Sequence, residues 1–186
     1  MTDEAWVQGS ARTGIRSTGG AGADAAQDTR PAAARAVDSD VTGLTVQGLP
    51  LVKPPYGRIS AIDLNRGEIL WQVAHGETPD NVRNHPALKG LTIPRTGRPG
   101  VIGTLVTKTL VIAGERDFFT NAAGQRGAML RAYDKPSGKD AGAVFMPAGQ
   151  TGTPMTYMLN GKQYIVVAIG GTGYEAEFMA FRLPGS

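Results

Sequence analysis

The stretch Met155-Thr156-Tyr157-Met158-Leu159-Asn160-Gly161-Lys162-Gln163-Tyr164-Ile165-Val166-Val167-Ala168 decides how the rest of the chain is read. Two runs rich in β-branched and aromatic residues flank an Asn-Gly pair, which accepts the positive φ angles of a type I′ turn. That is a hairpin. Working outward, the same grammar recurs. Ile59-Ser60-Ala61-Ile62-Asp63-Leu64 and Glu68-Ile69-Leu70-Trp71-Gln72-Val73 are joined by the turn Asn65-Arg66-Gly67. Gly103-Thr104-Leu105-Val106 and Thr109-Leu110-Val111-Ile112-Ala113 meet at Thr107-Lys108. Met129-Leu130-Arg131-Ala132-Tyr133-Asp134 reads as a further strand, and Phe178-Met179-Ala180-Phe181-Arg182-Leu183 as the last. No window sustains a helical period, so the expected fold class is all-β. Residues 74–100, rich in Pro, Gly and polar groups, read as a long surface connection.

Length and composition bound the answer. A chain of 186 residues allows one domain. Its 26 glycines and 12 prolines exceed the ordinary usage of roughly 7% and 5%. A net charge of +3 is too weak to argue for nucleic acid, which needs a clustered basic face. The absence of cysteine excludes disulfides, thiol nucleophiles and Cys-based metal sites, without fixing the compartment. No apolar run approaches the roughly 20 residues of a membrane helix, and the acidic start Met1-Thr2-Asp3-Glu4 is not a signal peptide. Residues 1–43 read as a low-complexity arm, mostly loop or disordered. Up to residue 40 the large apolar side chains are Met1, Trp6, Val7, Ile15 and Val37, too few to offset the ordering entropy. The folded part is expected over 44–186.

Three strands resemble one another: Ile59 to Leu64, Leu130 to Lys135, and Phe178 to Leu183. The first two continue alike, through Asn65-Arg66-Gly67-Glu68 and Pro136-Ser137-Gly138-Lys139. Four-stranded antiparallel units repeated at this scale are the signature of a β-propeller. Ala61, Ala132 and Ala180 let neighbouring sheets approach, and Trp71 is expected to fill the wedge between two blades. In the second unit Phe145 stands as a rough substitute for that Trp. The strands amount to about two blades, whereas propellers close with 4–8. The missing blades must come from self-association or from the rest of a longer chain.

Several longer runs carry a resemblance. Gly48-Leu49-Pro50-Leu51-Val52-Lys53-Pro54-Pro55-Tyr56-Gly57-Arg58-Ile59 through Glu68 resembles the C-terminal part of PQQ (pyrroloquinoline quinone)-dependent alcohol and glucose dehydrogenases. So do Val106-Thr107-Lys108-Thr109-Leu110, Leu130 to Lys135, Gly152-Thr153-Pro154-Met155-Thr156-Tyr157 through Ala168, and Ala180-Phe181-Arg182-Leu183-Pro184. The resemblance implies part of an eight-bladed periplasmic propeller. It implies PQQ beside calcium, a small alcohol or sugar as substrate, and no nucleic-acid partner. The family's catalytic Asp and calcium ligands lie in earlier blades, so no catalytic or metal residue is assigned here. By motif position Ile102-Gly103-Thr104-Leu105 is the innermost strand, which makes Gly103 and Thr104 the candidates for contact with the cofactor. An ordinary strand start is the bland alternative.

Other motifs favour structural readings. Gly171-Thr172-Gly173-Tyr174-Glu175-Ala176 fits a dinucleotide fingerprint, but no helix and parallel strand follow, so it reads as a loop between antiparallel strands. Asp63 and Asp134 recur at one repeat position, where a carboxylate accepts backbone N–H groups in a turn. His75 and His85 are the histidines, and His85 reads as a loop residue without ligand spacing around it. Glu175 and Glu177 form a solvated edge, Lys53 and Arg58 a solvated loop, and Ser10, Ser17 and Ser137 lack a nucleophile elbow. Two rivals stand beside the dehydrogenase reading: a non-catalytic propeller scaffold that assists assembly, and a degenerate product that never folds.

Overall fold

The computed structural model describes residues 44–182, so both the arm at 1–43 and Leu183 lie outside the described residues. A small ribbon, β1 (Thr45–Val46) and β2 (Leu49–Pro50), precedes the hairpin of β3 (Arg58–Asp63) and β4 (Glu68–Ala74). A connector follows, with a short helix α1 (Asp80–Arg83) and a 3-10 turn at Pro86–Leu88. The central sheet holds β5 (Leu105–Val106), β6 (Leu110–Gly114), β7 (Phe119–Thr120), β8 (Arg126–Asp134) and β9 (Asp140–Met146). The last sheet holds β10 (Gly149–Gln150), β11 (Met155–Leu159), β12 (Lys162–Gly171) and β13 (Tyr174–Arg182). All pairings are antiparallel.

Besides the ribbon, the strands form two multistranded antiparallel sheets, as expected of about two blades, and a further hairpin. The central sheet is complete, in the order β5-β6-β8 with β9 outermost and β7 a short extension. On one side stands the β3–β4 hairpin, and on the other the sheet β10/β11-β12-β13. The three look-alike segments are therefore one strand, seen once in each sheet: β3, β8 and β13.

The repeat runs deeper than its sequence. β3–β4 shifts register between Ala61 and Ile62, and β8–β9 between Ala132 and Tyr133. The turn after each strand is the same turn. Gly67 N–H donates to Asp63 O at 2.7 Å and Gly138 N–H to Asp134 O at 2.7 Å, both glycines at φ +68°. Asp63 Oδ1 accepts from Asn65 N, and Asp134 Oδ1 from Ser137 N, the structural role expected of both. Asn160 and Gly161 sit at φ +50° and +73°, as a type I′ turn requires.

Trp71 fills the wedge between the first two sheets. Its Nε1 donates to Lys135 O at 2.9 Å, and a Cβ built on Gly138 would lie 2.6 Å from its ring. The position equivalent to Trp71 in the second unit is Gly142, not Phe145. Ala61 pairs with Trp71 and Ala132 with Gly142, whereas Phe145 pairs with Met129 and packs over Gly127. Counting from the shared turn finds the right residue; looking for the nearest aromatic does not.

Two cores result. Ile59, Trp71 and Val73 pack on Val111, Ala113 and Tyr133. Ile112, Ala128, Leu130 and Met146 pack on Val167 and Ile169, with Met179 and Phe181 beside them. Two expectations change. The inner strand covers Leu105–Val106 alone, and the last strand begins at Tyr174, so that Glu175 and Glu177, both exposed, stand inside it. The residue 171–176 motif is the antiparallel turn between β12 and β13.

Candidate functional site

β5 pairs antiparallel with β6, so the start of β5 lies beside the end of β6. This end of the central sheet gathers the chemistry. Gly103 lies two residues before β5, and its carbonyl accepts from Gln150 Nε2 at 2.7 Å. Gln150 Oε1 accepts from Gly114 N–H at 2.6 Å, so one buried amide ties two strands of the central sheet to the last sheet. A Cβ on Gly103 would meet Thr153 Oγ1 at 1.9 Å. The missing side chain of Gly103 therefore makes room for the neighbouring sheet. Thr104 follows, half-buried.

The connector from 74 to 100 runs on the surface in its middle but is buried near both ends. His75, Thr78, Thr96 and Arg98 are all buried, as are Val82 and Pro79. Its backbone is stitched in layers: His75 N–H donates to Gly57 O, and Arg98 N–H to His75 O at 2.8 Å. Beneath it lies a cluster of ionisable side chains. Arg131 Nε donates to Glu115 Oε1 at 2.8 Å and its Nη2 to Glu77 Oε1, with the Arg131 side chain 7% and Glu115 1% exposed. Glu77 also receives Arg83, which donates to Thr120 O and Thr78 O as well. Arg95 pairs with Asp140, and Arg98 donates to Phe118 O. Burial pushes the Glu115 carboxyl up against the opposing pull of Arg131.

His75 is locked within the cluster. Its Nε2 lies 3.1 Å from Gly114 O, and a carbonyl only accepts, so Nε2 carries the proton. Nδ1 then accepts from Tyr133 OH at 2.9 Å. Burial lowers its pKa to about 4, helped by the Arg131 and Arg95 charges and opposed by the Gly114 bond and Asp140. The sign follows directly. An imidazole depressed in the folded state takes its proton first in the unfolded chain, so its contribution is complete above pH 6.5 and is lost as pH falls toward 4. That amounts to about 3 kcal/mol. Urea midpoints at pH 7 and pH 4.5 should differ by clearly less in His75→Gln than in the parent chain; equal slopes would refute the assignment.

Sequence reasoning missed His75, Glu77, Glu115, Arg131 and Gln150. Arg131 left a signal: it stands inside a strand where the look-alike segments carry Ser60 and Met179. Of the candidates that sequence did name, the structure places Gly103 and Thr104 just before β5, at one edge of the central sheet. His85 lies apart, its Nε2 2.8 Å from Gln47 O and its Nδ1 accepting from Ala87 N–H, a loop role as expected.

The family model for the β-propeller domain of glucose, ethanol and alcohol dehydrogenases that use PQQ matches residues 6–165. The chain belongs to this family. The match begins well inside the low-complexity arm, further toward the N-terminus than the resemblance at 44–184 reached. The chain is 38% identical over 153 residues to a probable quinate dehydrogenase (quinone) of Xanthomonas campestris pv. juglandis, covering 76% of this chain and 17% of that protein. It is 36% identical over 128 residues to the quinoprotein glucose dehydrogenase of Escherichia coli, covering 68% and 15%. A solved quinohemoprotein alcohol dehydrogenase from Comamonas testosteroni superposes with a TM-score of 0.41 at 25% identity, over 61% of this chain and 12% of that one. The chain thus spans about a sixth of the curated relatives' length.

PQQ and calcium are the cofactors of this quinoprotein family. Among the described residues no group of three His, Asp or Glu side chains is placed to hold a metal. PQQ bears several carboxylates, and Arg116, exposed two residues beyond β6, offers a guanidinium of the right sign. Its neighbours are small: a Cβ on Gly100 would lie 3.1 Å from Arg116 Cβ, and one on Gly149 only 1.7 Å from Arg116 O. No helix among the described residues is long and apolar enough to cross a membrane.

Proposed function

We propose that this chain supplies C-terminal blades to a PQQ-dependent dehydrogenase of the periplasm that oxidises an alcohol or sugar, and that it does not turn over alone. The family match over residues 6–165, together with the sheets that residues 58–182 form, carries this reading. The chemistry that bound PQQ would supply is that of an acceptor for a hydride equivalent from the substrate's carbinol carbon. This chain's part is to orient and support. Gly103 and Thr104 form the wall at the inner edge, and Arg116 attracts a carboxylate at its rim. Gln150 holds that wall to the next sheet, and the Glu77–Arg131–Glu115 cluster clamps the connector over it.

The test is direct. The 186-residue chain, supplied with PQQ, calcium, glucose or ethanol and an artificial electron acceptor, should reduce no dye beyond the substrate-free control. Substrate-dependent reduction would overturn the claim that it is inactive alone. Quenching of Trp71 emission is a poor probe of cofactor, because Trp71 stands on the outer strand β4 under Gly138, away from the inner edge.

A further inference from the structure

The connector is held to the sheets chiefly by polar groups. Between residues 76 and 98 the buried apolar side chains are Val82 and Pro79, and neither joins either core. The polar ties reach several strands. Glu77 meets Arg131 of β8, and Arg95 meets Asp140 of β9 at 2.9 Å. Thr120 of β7 is gripped twice by α1: its N–H donates to Asp80 Oδ2 at 3.1 Å, and its carbonyl accepts from Arg83. Arg98 donates to Phe118 O just before β7. At the base of the connector His75 spans Gly114 and Tyr133. Backbone bonds close the two ends together, from Tyr56 N–H to Thr96 O and from Arg98 N–H to His75 O.

Protons act on this set in one direction. A proton on His75 Nδ1 removes the lone pair that Tyr133 OH donates to, and sets a cation beside Arg131 and Arg95. A proton on Glu77 cancels the charge that Arg131 and Arg83 share. One on Asp140 strips Arg95 of its counter-charge, and one on Asp80 weakens its 3.8 Å pairing with Arg83. Glu115, 2.8 Å from Arg131 and also within the field of Arg98, adds to the same effect from the sheet side. Each proton leaves buried arginine less compensated, and exposure to water relieves that cost. The aliphatic side chains of the two cores hold nothing that acid changes.

We propose that the connector is an acid-released latch: mild acid frees residues from His75 to Arg98 as a unit and uncovers the Glu115–Arg131 pair beneath, while both cores stay packed. His75 sets the window. Burial holds it at about 4 against an ordinary 6.5, and opening returns it to water. Opening therefore gains up to about tenfold per pH unit as pH falls from 6.5 to 4, and this gain stops below 4. The latch rests on the connector's ties and not on the redox reading, so a failed turnover experiment leaves it standing.

Amide hydrogen exchange followed by NMR on the full chain tests it, with rates corrected for the intrinsic effect of pH. The Tyr56 and Arg98 amides should be clearly less protected than those of β6, β8 and β12. Their exchange should respond little to added urea, because opening the connector exposes little surface. Their protection should fall by about tenfold per pH unit between pH 6.5 and 4.5. His75→Gln keeps a donor for Gly114 O but does not titrate, so it should flatten that slope. Connector and core amides with equal protection and equal urea dependence would mean that the chain opens all at once, and would overturn the latch. So would protection at Arg98 that ignores pH, or a slope that His75→Gln leaves unchanged. The comparison of connector with core in the parent chain is decisive whether or not the variant folds.

Discussion

Arg131→Met should destabilise the fold by about 3–5 kcal/mol, the usual consequence of removing one partner of a buried ion pair. The magnitude comes from what is left behind rather than from the bond lost. Glu115 is 1% exposed, and without Arg131 its carboxylate would be charged and uncompensated in the interior. Glu77 loses a partner too, but it is 28% exposed and keeps Arg83. The connector should loosen with it, since Glu77 belongs to the connector and Arg131 to β8. Two controls follow from the same physics. Adding Glu115→Gln to Arg131→Met should recover part of the loss, because an amide costs less to bury than a carboxylate. Lowering the pH should also narrow the gap between Arg131→Met and the parent, because burial already favours protonated Glu115. Urea unfolding measures all three; a loss for Arg131→Met below about 1 kcal/mol, the range of a surface pair, would show that the cluster does not anchor the connector.

Gly103→Ala should cost about 3 kcal/mol, the upper end of ordinary overpacking. The added Cβ would lie 1.9 Å from Thr153 Oγ1, 2.6 Å from its Cβ and 2.9 Å from its Cα. Rotating Thr153 relieves the first contact alone, so the two sheets must separate. Their separation stretches the Gln150 bonds to Gly103 O and Gly114 N–H. Thr153→Gly removes the two nearest atoms and should restore much of the loss in the double variant, a coupling readable from a thermal-melt double-mutant cycle. Additive losses would mean that the two residues do not meet. The result bears on function because Gly103 is the residue that sequence singled out for the cofactor. Its glycine identity is explained by Thr153, so contact with PQQ would have to come through its backbone or through Thr104.

Much of the fold was legible because its devices are local. Asn160-Gly161 adopts the positive φ angles that its chemistry favours, and Asp63 and Asp134 hold their turns through atoms two and three residues away. Trp71 was readable as an interblade wedge because it follows a recognisable turn at a fixed distance. The same local counting makes Gly142 its counterpart, where choosing by side-chain type led to Phe145.

The alternation of side chains along each strand, the turn chemistry and the repeated strand determine an all-β propeller segment from sequence alone, because each acts within a few residues. Alternation says which residues share a face but not which sheet will cover that face. Only the stacked sheets could bring Glu77 to Arg131 across 54 residues, or His75 to Tyr133 across 58. A connector full of Pro, Gly and polar residues looks like surface until those partners are in place. Its polar side chains are buried because the tertiary fold delivers, from distant strands, the charges and hydrogen-bond partners that make their burial tolerable.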